Sequence, residues 1–240
     1  MSKGSALGIL DVRKAYLVVN KPAGVFSQPP DMAKWRRNHG ESQPPLLLDM
    51  VRSSMRQHQL ECDGLRTVHR LDTNVTGGVL IARDKNAAAL FSRYLRKGGN
   101  SGHKLVRKYV ALVDGTASGL ANEGVLESNG MKTWYRKIDS GALMLQLRTG
   151  KKHQIRRQLV QDLSLPILND VKYGARPIPS AGYLIGLHSA SIHTQVGLQK
   201  EIHLIPVDLG RTSLWSAYVD ETGSFNPQVQ KMLVEDWGVD

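Results

Sequence analysis

Cysteine is almost absent from this 240-residue chain. Cys62 stands alone, so no disulfide framework can form and a four-cysteine zinc site is excluded. A single thiol fits a reducing compartment. Long apolar runs are missing too. No stretch approaches the ~20 apolar residues needed to span a bilayer, and Ala6 to Leu10 is too short for a signal-peptide core. The start, Met1-Ser2-Lys3-Gly4, has few basic residues before Lys21 and makes a poor targeting peptide. No internal repeat, low-complexity tract or linker is visible, so residues 1–240 read as one domain. Acids are scarce relative to bases: 21 Asp plus Glu face 32 Lys plus Arg, a net charge of +11. That excess points to a polyanionic partner. Apolar residues make up 41%, which places the chain among folded proteins and not disordered ones.

What is present is a series of short β-rich runs with a few helices. Ala15 to Asn20 reads as a strand stopped by Lys21-Pro22-Ala23-Gly24. Pro29 to Pro45 is polar, basic and without periodicity, and reads as a long exposed loop. Leu47, Met50, Val51 and Met55 give Leu46 to Leu60 the spacing of an amphipathic helix. Val79 to Ala82 reads as a buried strand after Thr76-Gly77-Gly78. Asp84 then caps a helix from Lys85 to Arg96 that ends at Gly98-Gly99. Strands follow at Lys108 to Asp114, Thr133 to Ile138, Leu143 to Leu147, Leu184 to Ile192 and Lys200 to Leu204, with a helix at His153 to Val160. Strands without regular βα alternation predict an α+β fold with a largely antiparallel sheet.

Two segments carry chemistry. In Val68-His69-Arg70-Leu71-Asp72-Thr73-Asn74-Val75-Thr76-Gly77-Gly78 an acid sits beside an arginine, just before a glycine turn and an apolar strand. Such a place can hold a carboxylate at a cleft wall. Taken alone, Asp72 reads more readily as an acid capping local amides, and His69 as a satisfied, partly buried ring. In Leu147 to Gln158 a Thr149-Gly150 turn precedes a basic helix. Arg156 on its inner face could pair bidentately with a carboxylate and keep it ionised. Lys151, Lys152 and the amides at the helix start suit a phosphate. A plain solvated basic helix fits those residues as well.

Together these segments resemble the RluA-type pseudouridine synthases. His69-Arg70-Leu71-Asp72 matches that family's HRLD motif, and Asn20-Lys21-Pro22-Ala23-Gly24 its NKPxG motif. Lys108 to Gly115 is similar to its KxYxAxVxG strand. Leu147 to Arg156, with His153-Gln154-Ile155-Arg156, is similar to its LxTGRxHQIR segment, and Gly186 to Ala190 to its late LHA strand. The matches keep the family's order from about Tyr16 to Leu204.

The resemblance implies the pseudouridine synthase fold: α+β, with a mixed, mostly antiparallel bisected sheet and a central cleft. It also implies roles. Asp72 becomes the obligatory aspartate. Tyr109 stacks on the flipped base and helps remove its C5 proton. Arg156 pairs with the aspartate. Arg70 fills the gap left by the extruded base, and Leu187 packs against the tyrosine. His69, Lys21, Lys151, Lys152, His153 and Gln154 join the substrate-binding set. Asp72 either attacks the ribose or takes its C2′ proton. No redox or group-transfer step occurs, so no metal or organic cofactor is expected. The implied partner is structured RNA, ribosomal or transfer, with no DNA or membrane and with a monomeric protein.

Three departures from the pattern stand out. Lys151-Lys152 replaces an arginine plus a variable residue, which loses the planar fork. Gln158 replaces a frequent histidine and receives no role. Asn169 replaces glycine in a Leu-Gly-Asp turn, leaving that turn's conformation open. The pattern begins too early to leave room for the S4 RNA-binding domain of many relatives, so RNA is held by the catalytic domain or a partner. Lys34, Trp35, Arg36 and Arg37 suit RNA contact, or simply a solvated loop. The lone catalytic domain is similar to compact eukaryotic members, among them a mitochondrial large-subunit rRNA enzyme. That implies a mitochondrial location, with the cytoplasm as the alternative.

Other readings fare worse. An inactive relative that escorts RNA would have no use for a cleft carboxylate with its arginine and tyrosine. A kinase loop places Asp directly after Arg and Asn five residues later, unlike His69-Arg70-Leu71-Asp72. A metal hydrolase built on His69, Asp72, His153 and His188 lacks paired histidines at i,i+4 spacing.

Overall fold

The structure, a computed structural model, describes residues 7–98, 102–211 and 213–238. Gly99 and Met1 to Gly4 lie outside them. Chain order is β1 (Gly8–Val12), β2 (Tyr16–Lys21), α1 (Met32–His39), α2 (Leu47–Gln57), β3 (Arg66–Thr67), β4 (Thr76–Ala82), α3 (Lys85–Lys97) and β5 (His103–Leu112). There follow β6 (Glu123–Ser128), β7 (Met131–Lys137), β8 (Ala142–Leu147), α4 (Gln154–Leu163), β9 (Leu187–Val196), β10 (Gln199–Leu204) and α5 (Pro227–Val234).

Side chains that alternate along the central strands feed cores on both faces of one sheet. Leu17 and Val19 of β2 and Tyr109 and Ala111 of β5 enter the core that α2 and α4 cover. On the opposite face, Tyr16 and Val18 pack with Phe91 and Tyr94 of α3, and Val110 and Leu112 pack with Trp215, Phe225 and Val229 near α5. Helix α2 owes its seat to Leu47, Val51 and Met55, one buried residue per turn. It has no side-chain cap; the Leu47 amide donates instead to the Phe26 carbonyl at 2.8 Å.

The strand order is β1-β2-β4-β9-β5-β8-β7-β6, with β10 beside β9 and β3 beside β4. Between these strands only the β4–β9 pairing is parallel, and it spans just Thr76↔His188 and Gly77↔Ser189. This narrow junction divides the sheet, as the family resemblance implies. Gly77 sits there at φ +109, where a Cβ would lie 2.5 Å from the Ser189 carbonyl oxygen. The cleft opens next to the junction, since Asp72 precedes β4 and Tyr109 lies on β5.

Several expectations need correction. Helix α1 lies within the span read as a loop; Asp31 accepts from the amides of Ala33 and Lys34, and no residue of the helix is buried. Without a buried stripe it leaves no periodic signal. Strand β5 begins at His103 and ends at Leu112, earlier at both ends than expected. Strand β9 runs on through polar His193, Thr194 and Gln195, because β5 and β10 pair it on both sides. The edge strand β6 and helix α5, which Asn226 caps with Pro227 in its first turn, were not foreseen.

Candidate active site

Asp72 is held from behind by the segment Lys21 to Ser27. The Lys21 ammonium is fully buried and donates to the carbonyls of Pro22, Val25 and Thr73 at 2.9, 2.9 and 3.1 Å. The Gly24 amide donates to Thr73 O at 2.9 Å. Ser27 Oγ donates to Leu71 O, and the Leu71 amide donates back to Ser27 Oγ. Leu71 itself is an apolar anchor in the core. The segment Lys21 to Ser27 therefore straps both residues that flank Asp72. Burial pulls the Lys21 amine down to about 7, opposed by the Asp72 carboxylate. Three carbonyl acceptors and no donor suit the charged form. Lys21 was expected among substrate contacts, but its amine is wholly taken up by backbone.

The Asp72 carboxylate accepts from Arg156 at 2.9 Å through Oδ2. Arg156 is fixed on its other side by Asp170, which accepts from its Nε at 2.7 Å and its terminal nitrogen at 2.8 Å. Exposure falls inward along the chain of groups, from 18% for Asp72 to 7% for Arg156 and 1% for Asp170. Burial disfavours the guanidinium charge, yet the Asp170 and Asp72 carboxylates outweigh it and raise the pKa of Arg156. The Tyr173 ring covers the guanidinium at 4.9 Å, and its hydroxyl meets His153 Nδ1 at 2.8 Å. His153 Nε2 stands 3.7 Å from the other Asp72 oxygen. Burial lowers the pKa of that ring, with Asp72 opposing. In the sequence Asp170 stands only within a departing turn, with nothing local to mark it as the partner of Arg156. That turn is now explained: Asn169 adopts φ +63 and bonds Gly182 O, Leu184 O and the Ile178 amide. Asparagine tolerates this left-handed region better than most residues other than glycine.

A cleft of about 650 Å³ opens over Asp72 and Tyr109. Six cationic side chains line it, Arg70, Arg96, Arg107, Arg148, Lys151 and Lys152, against one acid, Asp72. The size suits a single nucleotide. Tyr109 is 97% buried, its relative exposure being 3%, and shares a core cluster with Leu187. Burial raises the phenol's pKa, opposed by Arg107 and Ser189. Arg70 donates to Gln28 at the rim. His69 lines the cleft with its ring neutral: burial first, then Arg107, lowers its pKa. Gln154 does not face the cleft. It is buried, donating to Lys132 O and Thr133 and accepting from Thr149 and the Lys151 amide, and so fixes the Thr149–Lys151 loop. Lys108 points away from Tyr109, its amine capping the carbonyls of Met232, Leu233 and Glu235 beside Trp237. Gln158 is likewise internal, joined to Thr133, Leu126 and Met131. His188 is engaged elsewhere, by Thr76 and the Ile205 carbonyl.

An acid with a doubly anchored arginine, sharing a basic cleft with a buried tyrosine, is the equipment of an enzyme that works on the sugar and base of RNA. The profile for "RNA pseudouridylate synthase" matches residues 15–161, and the chain belongs to that family, whose members are RNA isomerases. It is 46% identical over 232 residues to the "21S rRNA pseudouridine(2819) synthase" of Eremothecium gossypii, covering 95% of this chain and 88% of that protein. The Saccharomyces cerevisiae protein of the same name is 42% identical, with 99% of each covered. The human RNA Pseudouridylate Synthase Domain Containing 1 structure shares the fold, with a TM-score of 0.65 at 19% identity and 97% of each chain covered.

Proposed function

We propose that this protein converts a uridine of large-subunit ribosomal RNA to pseudouridine, with Asp72 as the catalytic carboxylate. The observation that carries the reading is the Asp170–Arg156–Asp72 chain, whose outer carboxylate alone reaches the cleft. Two fungal relatives named for 21S rRNA support an rRNA substrate and, that rRNA being mitochondrial, a mitochondrial location.

The chemistry follows from the residues. A uridine stacked in folded RNA is out of reach, so it must swing out. Tyr109 offers its ring as a platform, worth roughly 1–3 kcal/mol by analogy with single-strand binders. Arg70 at the rim fills the space the base vacates. Lys151, Lys152 and His153 meet the flanking backbone. Asp72, oriented by Arg156, attacks C1′ or takes the C2′ proton, and the freed uracil turns and rejoins through C5 as the carboxylate leaves C1′ or the proton returns to C2′. The protein acts as a monomer, which light scattering checks.

Pseudouridine mapping of total RNA from cells with and without the gene tests the assignment. One large-subunit rRNA position should revert to uridine in the deletion and be restored by purified protein on deletion-strain RNA. An unchanged pseudouridine map would refute it.

A further inference from the structure

Two hydrogen-bond donors at the cleft have nothing to bond. Arg107 is 6% exposed, lines the cleft, and its Nε finds no acceptor among the described residues. His69 is 8% exposed and lines the same cleft. Its Nε2 accepts from the Leu80 amide at 3.0 Å, which leaves the proton of the neutral ring on Nδ1. That Nδ1–H also lacks a partner. Buried donors are nearly always satisfied, and a buried guanidinium without a counter-ion is costly. Arg156, also buried, has two carboxylates. Arg107 stands two residues before Tyr109 on β5, close enough to act on its phenol and on the His69 ring, and all three line the one cleft.

We propose that Arg107 Nε–H and His69 Nδ1–H seat a carbonyl oxygen of the flipped uracil and take up the charge that gathers there as the glycosidic bond breaks. This rests on the uridine-isomerase reading of the cleft. When C1′–N1 breaks, its electron pair stays with the base and spreads onto O2 and O4. C1′ is captured by the Asp72 carboxylate or relieved by loss of the C2′ proton to it. After the base turns, C5 bonds to C1′ as the Asp72–C1′ ester bond breaks or as Asp72 returns the proton to C2′, and the C5 proton is lost while N1 gains one, so atoms and charge balance without a co-reactant. A donor pair aimed at a charge that exists only in mid-reaction stabilises the transition state more than the bound uridine. A phosphate or an ordered water could meet the same two donors, and the test separates them.

The test is a cycle of protein and substrate changes. Wild-type and Arg107→Gln proteins are assayed under single turnover on target RNA carrying uridine, 2-thiouridine or 4-thiouridine at the modified position. Sulfur accepts hydrogen bonds poorly, and its effect on leaving-group acidity is common to both proteins and cancels. Arg107→Gln should slow uridine conversion about 10²-fold or more, with RNA affinity within a few-fold. One of the two thio substitutions should slow the wild type at least tenfold more than the variant. Equal thio effects in both proteins would overturn the seat. So would a variant that keeps its rate but loses RNA affinity and salt sensitivity, the pattern of a phosphate contact. Loss of an unpaired buried charge should leave the melting temperature unchanged or raise it. If Arg107→Gln fails to fold, Arg107→Lys, which keeps the charge without Nε–H, should show the same loss of thio discrimination. Failure of the wild-type protein on unmodified RNA would refute the underlying reading instead.

Discussion

Asp72 is aimed by a neighbour that is itself anchored. Arg156 has one nitrogen for Asp72 and two for Asp170, so the buried acid fixes the plane of the guanidinium. Asp170→Asn keeps the shape but loses an acceptor and the charge. We expect kcat to fall roughly 10²-fold with KM nearly constant, since ångström-scale misplacement acts on the reacting geometry; a fall in both rate and RNA affinity would contradict a positioning role. At the same scale, burial lowers the pKa of His188 to about 4, with the Ile205 hydrogen bond opposing. Between about 4 and 6.5 the unfolded chain binds a proton that the folded chain does not, so stability rises with pH. His188 should therefore cost roughly 3 kcal/mol of stability as pH falls from 6.5 to 4. Urea denaturation of wild type and His188→Gln across that range checks it: the wild-type slope should be the steeper.

At the scale of elements, the site depends on two devices: the Lys21 strap behind Asp72 and the short β4–β9 junction. Lys21→Met strands three carbonyls and should destabilise by roughly 1–3 kcal/mol, with activity falling further than folding alone explains. Gly77→Ala sets a methyl against Ser189 backbone at a positive φ. It should cost roughly 2–4 kcal/mol, read as a lowered urea midpoint. A neutral result would mean the junction yields easily. Much of this was legible. The central strand Val79–Ala82, the helix capped by Asp84 and the α2 stripe follow from local periodicity and caps. The α1 helix, the β6 edge and the reach of β9 were not, because no buried stripe or alternation marks them and their partners are remote in sequence. Asp72, Tyr109 and Arg156 could be named from motifs. Asp170 and Arg107 were missed because their meaning lies in what faces them. An alternation of cationic and aromatic residues at Arg107 and Tyr109 was the one available signal.

At the scale of the whole molecule, the chain carries a net charge of +11. Six cations surround the cleft that holds Asp72, which favours a polyanion before any base is read. No helix among the described residues is long and apolar enough to cross a membrane. Lys151→Ala with Lys152→Ala should weaken binding of all RNAs alike and reduce the slope of log Kd against log salt by roughly 1–2. An unchanged slope would remove both lysines from the backbone contact.

The most direct measurement compares wild-type and Asp72→Asn proteins on the same rRNA fragment, following single-turnover pseudouridine formation and RNA affinity together. The account predicts no detectable product from the variant while its Kd stays within a few-fold of wild type. Pseudouridine formed by Asp72→Asn at the wild-type rate would contradict it.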